Sequence, residues 1–229
     1  MLIEDQAMSA RLKTSQRIIN SSLELFNQLG ERSVSTNHIA AHMEISPGNL
    51  YYHFPNKQAI ISVLFDEYEA LVLGFLRPPE GRLPDGNDKR DYLKHLLNAM
   101  WRYRFLYRDI EHLLRSDPEL ARRYRRFYAQ CMVQGQAIYS GFVQAGILDM
   151  TPQQIESLTL NAWIIVTSWV SFLCTTRENA NLLSEQALKR GIYQLVVLES
   201  GYVTAEYREV IADLLKEYYV PLQKTLDVQ

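Results

Sequence analysis

Between one backbone breaker and the next, almost every stretch of this chain repeats its apolar residues at a helical spacing, and almost nothing alternates at a period of two. That pattern confines the fold to the all-α class. Ile18, Ile19, Ser22, Leu23, Phe26 and Leu29 line one stripe of a first helix, and Gly30 stands where a C-terminal cap belongs. Ser35 predicts the N-cap of a short second helix, with Val34 packing back as a staple and Ile39, Ala40 and Met43 facing inward. Glu44 and Ile45 form a turn. Ser46 is the next N-cap, and Pro47 occupies a first helical position, where its missing N–H costs nothing. A third helix is therefore predicted over about 47–52. Pro55 ends it, and Asn56 caps a fourth helix carrying Ile60, Ile61, Leu64, Phe65, Tyr68, Leu71 and Leu76.

The segment 77–87, with three prolines and two glycines, is the clearest break in the chain. Beyond it, periodicity predicts helices over 88–103, 106–115, 118–145, 152–175, 184–200 and 204–219, with a soft division between the first two. Asp117 before Pro118 and Thr151 before Pro152 supply starts; Gly146, Gly201 and Pro221 supply stops. At 229 residues and 47% hydrophobic content, the chain can bury a real core. The net charge of -2 gives no global polyanion-binding signal, so a nucleic-acid surface would have to be local. Cys131 and Cys174 have neither disulfide-framework nor zinc spacing, and a reducing cytoplasm is the expected location. The N-terminal residues lack an apolar core of signal-peptide length. The apolar run 158–174, interrupted by Asn161, Thr167 and Ser168, falls short of a typical membrane span and reads as a buried or interfacial helix; no membrane partner is expected.

The stretch ISPGNLYYHFPNK, 45–57, carries the chemistry. Two short helices joined by a tight turn, the second opening on Ser-Pro-Gly-Asn, match a helix-turn-helix whose second helix can enter a DNA major groove. Small residues at its start permit close approach, and the helix N-terminus favours phosphate oxygens. Tyr51, Tyr52 and His53 can donate to phosphates while their rings pack, and Lys57 adds a charge.

From these residues the run 17–64 resembles the DNA-binding domain of the TetR/AcrR family of bacterial transcriptional regulators. The resemblance rests on Ile18 and Leu25-Phe26 before Gly30, Ser35-Thr36 with Ile39-Ala40, the run from Ile45 through Phe54, and Asn56-Lys57. It implies a helix-turn-helix domain over 1–57, with its core at 12–57, and a helical effector-binding and dimerisation domain over 58–229. It further implies that Thr36 and Asn37 meet the DNA backbone or a base edge, and that Pro47, Gly48 and Asn49 face bases. Tyr51, His53 and Lys57 would hold phosphates. Tyr52 would be divided between packing and a phosphate, while Leu50 and Phe54 belong to the core. Two departures stand out. Glu44 occupies a turn position that usually carries glycine, and positive φ there costs a non-glycine residue roughly 1 kcal/mol. The headpiece also lacks a basic surplus: to residue 60, Arg11, Lys13, Arg17, Arg32 and Lys57 are matched by Glu4, Asp5, Glu24, Glu31 and Glu44.

The implied protein is a homodimeric, ligand-responsive repressor acting on a palindromic DNA operator, without a cofactor or metal; a DNA-binding regulator with no effector, architectural or activating, is the alternative and predicts a solid C-terminal core. Met100, Trp101, Phe105, Tyr128, Cys131, Met132 and Trp163 form an aromatic and sulfur-rich set that either lines a ligand pocket or is simply core. Ile165, Trp169 and Phe172, with Leu188, Ile192 and Leu195, either form a dimer seam or face inward. Arg122, Arg123, Arg125 and Arg126 either clamp an anion or form a solvated face paired with Asp117 and Glu119. His38 and His42 have i, i+4 zinc spacing but lack the HExxH glutamate and a third ligand, so structural or DNA-proximal roles are expected. No Walker loop, dinucleotide fingerprint or nucleophile elbow points to an enzyme.

Overall fold

The computed structural model describes residues 2–176 and 183–226, with the side chains of 13–176 and 183–225. Within them the chain forms α1 (Leu2–Leu29), α2 (Thr36–His42), α3 (Pro47–His53), α4 (Lys57–Phe75), α5 (Gly86–Arg102) and α6 (Arg104–Ser116). There follow α7 (Pro118–Gln144), α8 (Pro152–Thr176), α9 (Glu185–Ser200), α10 (Arg208–Tyr218) and α11 (Leu222–Leu226). Short 3-10 turns span Glu31–Ser33 and Ala205–Tyr207. Among the described residues there is no strand, only an antiparallel bridge between Leu148 and Val203 that ties the α7–α8 connection to the α9–α10 connection.

Local chemistry sets most helix starts. Ser35 Oγ accepts from His38 N while His38 Nδ1 lies 3.3 Å from Ser35 N, a reciprocal capping box. Ser46 Oγ accepts from Asn49 N at 3.2 Å and Asn56 Oδ1 from Ala59 N at 2.8 Å. Asp117 caps α7 through the Glu119 and Leu120 amides. Most helix ends fall within a residue or two of the periodicity, and α6 starts at Arg104, two residues early. α5 begins at Gly86 because Asp85 caps it, the stretch over 204–219 divides into a 3-10 turn and α10, and α11 was not expected. The soft division after 103 proves to be a break between α5 and α6, with Tyr103 as the junction.

One apolar cluster runs from Ile18 and Phe26 in α1 through Leu64 and Phe65 in α4 to Leu188 and Val196 in α9. A smaller one, with Phe142, Ile147 and Leu158, fills the end where α7 turns into α8. α4 therefore has its first turns in the core of the N-terminal headpiece and its later turns in the larger helical body. By length and composition α8 is apolar enough to cross a membrane, which corrects the reading of a stretch too short to span. It packs against α6, α7 and α9.

Candidate functional site

α2 and α3 meet at the turn over 43–46. Glu44 adopts φ of 55°, and the amides of Glu44 and Ile45 donate to Ala41 O and Ala40 O at 3.1 and 3.0 Å. These are the two hydrogen bonds of a Schellman ending, which requires a left-handed residue at this point. The turn sends α3 off with Pro47, Gly48 and Asn49 exposed at its N-terminus, while Leu50 and Phe54 are buried in the headpiece core. A methyl group on Gly48 would approach only Ser46 Oγ, at 4.0 Å.

Tyr51 and Tyr52 are exposed, at 48% and 66%, and His53 is half-buried, with its ring edge-on to Tyr52. The Tyr51 hydroxyl lies 2.9 Å from Thr36 Oγ1, which joins the start of α2 to α3. Asn37 is exposed beside it. Lys57 corrects the expectation of a freely available charge. Its ammonium donates to Glu31 O and Val34 O, both at 3.0 Å, and sits 2.6 Å from Glu31 Oε1, so its three donors are engaged within the protein. Arg32, not assigned a role from the motif, lines the same surface groove as Thr36, Tyr51 and Lys57. It lies in the 3-10 turn, which has no motif of its own. His38 is occupied in capping α2, and among the described residues no group of three metal-ligating side chains occurs. The side chains of Glu4, Asp5 and Arg11, counted in the charge balance, lie outside the described residues.

Polar contacts fasten the headpiece to the end of α5 and to α6. Asn27 Nδ2 donates to Arg102 O at 2.8 Å and its Oδ1 accepts from Phe105 N at 3.1 Å. Arg108 donates to Phe26 O, and Asp109 Oδ2 accepts from Glu31 N at 3.1 Å. From the other side Arg123 of α7 pairs with Asp66 and Glu69 of α4 and donates to Ser62 Oγ. Arg123 is thus tied into the fold, and Arg122 pairs with Glu119 one turn away; Arg125 and Arg126 are exposed.

Behind α4 lies a cavity of about 140 Å³. Tyr68, Val72 and Phe75 of α4 form one wall, and residues of α5 to α9 complete it. Of the seven side chains expected to line a pocket, Cys131, Met132 and Trp163 do so. Met100 and Phe105 are core instead; Phe105 packs on Phe26 with ring centroids 5.3 Å apart. Trp101 stacks beneath Arg104, and Tyr128 abuts the edge of Trp163 from the surface side. Burial pushes the Cys131 thiol up to about 12, with nearby Glu69 adding to it, so the sulfur stays protonated. Tyr68 and Tyr107 share a hydroxyl hydrogen bond of 2.8 Å, and burial raises both well above the ordinary tyrosine value.

The motif gave no notice of Lys89 and Glu199, which form an ion pair at the cavity wall. Burial holds the Glu199 carboxyl above its usual range, outweighing the opposing pull of Lys89. A signal did exist. Glu199 continues the stripe Leu188, Ile192, Leu195, and Lys89 precedes Leu93 by one turn, so both stand on inward faces.

Leu188, Ile192 and Leu195 are buried inside the protomer, which corrects their placement on an intersubunit seam. Ile165 is half-buried against the core, and Trp169 lies across Gly191 with Nε1 donating to Ala187 O at 2.8 Å. Of the six, Phe172 is exposed, and it shares the outer face of α8 with Leu160 and Ile164; Val197 is exposed on α9.

Two family models match this chain. One describes bacterial regulatory proteins of the tetR family and covers residues 18–64; the other describes a bacterial transcriptional repressor and covers 67–211. A TetR-family transcriptional regulator from Marinobacter aquaeolei VT8 is 44% identical and superposes with a TM-score of 0.82 over 90% of this chain and 99% of its own. One from Pectobacterium atrosepticum, 17% identical, shares the fold with a TM-score of 0.54 over 86% of this chain and 97% of its own. The HTH-type transcriptional regulator UidR of Escherichia coli (strain K12) is 35% identical over 78 residues, 34% of this chain. The chain spans 40% of the length of the curated relatives it matches.

Proposed function

Because this chain belongs to the TetR family of bacterial transcriptional regulators and is a sequence-specific DNA-binding regulator, we propose that it is a homodimeric repressor released from its operator by a small molecule bound behind α4. The observation that carries the reading is the shared helix. α4 starts four residues after the recognition helix α3 ends, and its later turns wall the cavity. A ligand that repositions Tyr68, Val72 or Phe75 moves a rigid element whose other end holds the headpiece. In a dimer, the two recognition helices must fit successive major grooves about 34 Å apart. Release then follows from a difference in ligand affinity between the two arrangements. A regulator with no effector would have a solid body, and the cavity favours the ligand-responsive reading.

In this mechanism Pro47, Gly48 and Asn49 read base edges, Thr36 and Asn37 meet the backbone, and Tyr51, Tyr52 and His53 hold phosphates. Arg32 joins them from the same groove. Lys57 acts mainly by fixing the 3-10 turn that presents Arg32. The domain boundary lies within the first turns of α4, and the intersubunit face consists of the outer sides of α8 and α9. The protein works in the cytoplasm, where its operator is. Selection of bound sequences from a random DNA pool at defined salt tests the reading. Enrichment of a palindrome with half-sites about one helical turn apart is expected; failure to enrich any site with folded protein would overturn it.

A further inference from the structure

The cavity wall is mostly apolar; the Tyr68 and Tyr107 hydroxyls bond to each other, those of Thr159 and Thr167 donate to carbonyls of their own helix, and one corner is charged. There Lys89 of α5 and Glu199 of α9 pair with side-chain exposures of 9% and 1%. The Lys89 ammonium also sits 5.3 Å from the ring centroids of both Tyr139 and Phe142, so aromatic faces contribute to its solvation. Glu199 Oε2 accepts from Lys89, but Glu199 Oε1 is buried with no hydrogen-bond partner. Leaving a carboxylate oxygen dry is costly, and an apolar pair of similar volume would stabilise the body at least as well. Stability therefore does not explain the pair, whereas a ligand that donates to Oε1 does.

We infer that the cavity binds a small, uncharged, largely apolar molecule carrying one hydroxyl, which donates to Glu199 Oε1. The size follows from the volume. At about 140 Å³ it compares with the engineered cavity of about 150 Å³ that admits benzene, so one substituted ring fills it. Val72, Leu96, Ile138, Ala162 and Leu195 offer such a ring only apolar contacts. The charge follows from the pair. An anionic ligand would confront Oε1 while Lys89 is already engaged, and a cationic one would make two ammonium groups share one carboxylate in a dry site. A neutral hydroxyl adds a hydrogen bond without adding a charge. This assignment deepens the effector reading and rests on it for its regulatory meaning, though not for binding.

Calorimetric titration of the full-length protein with 4-ethylphenol, its methyl ether and 4-ethylbenzoate tests the inference. The phenol should bind at least about tenfold more tightly than the ether, because only the phenol satisfies the buried acceptor, and the benzoate should show no binding. In Lys89→Met/Glu199→Leu, phenol and ether should bind within about threefold of each other. Equal binding of phenol and ether to the wild type, or binding of neither, would overturn the assignment without recourse to any variant. So would a phenol preference that survives in the double variant. Release of the selected operator is measured in parallel. A Glu199-dependent phenol preference that leaves DNA binding unchanged at saturation would uphold the ligand assignment and overturn the effector reading.

Discussion

Glu44 and Gly48 lie four positions apart and depart from local preference in opposite directions. Glu44 carries a side chain where the backbone is left-handed, at φ of 55°, and the Schellman hydrogen bonds to Ala40 O and Ala41 O hold it there. Glycine would remove the strain while adding freedom to the unfolded chain, so Glu44→Gly should raise unfolding stability by about 0.5–1 kcal/mol. In a thermal melt that is a rise of roughly 1–4 °C. Gly48 lacks a side chain where the helix would accept one, since a methyl there would come no closer than 4.0 Å to Ser46 Oγ. Gly48→Ala should leave the fold intact with stability unchanged or slightly higher, by up to ~1 kcal/mol. It should weaken operator binding by about tenfold or more, because the added methyl stands between the helix N-terminus and the bases. Melting and titration of the same preparation separate the two effects. Unchanged DNA affinity would remove Gly48 from the interface.

At the scale of elements, the split between α5 and α6 has a cause remote in sequence. Asn27 of α1 donates to Arg102 O and accepts from Phe105 N, drawing off backbone groups on either side of Tyr103. Asn27→Ala would orphan both groups and should cost about 2–3 kcal/mol in denaturant unfolding. It should also weaken the response of DNA binding to any effector, because the headpiece loses a fastening to the body. The contrast explains how much was legible beforehand. Ser35, Ser46, Asn56 and Asp117 act on amides two or three residues away, so their helix starts could be read from neighbours alone. The 3-10 turn at Glu31–Ser33 and the short α11 are too brief for a period to register. The stripe Leu188, Ile192, Leu195 announced a buried face, but periodicity does not tell whether the covering surface belongs to the same chain. Lys89 and Glu199, 110 positions apart, meet only because α5 and α9 pack together, and Lys57 looked available because its partner Glu31 lies in an irregular turn.

For the whole molecule, the outer side of α8 leaves Leu160, Ile164 and Phe172 exposed at 42%, 50% and 39% on one face. With this face as the proposed subunit contact, Ile164→Glu should raise the dissociation constant of the proposed dimer by roughly thirtyfold or more, the effect of charging the centre of an apolar interface, with no change in helical content. Sedimentation velocity reads this directly; a variant as dimeric as the wild type would move the subunit contact elsewhere. The headpiece charge balance sets another property. With Lys57 answered by Glu31, and Arg32 among the few cations left at the groove, there is little general attraction to phosphate. A chromosome offers some 10⁶–10⁹ wrong sites for every right one, and a strongly basic regulator is largely absorbed by them. A regulator with a nearly neutral headpiece is held less by those sites, so fewer molecules per cell are needed to keep one operator occupied.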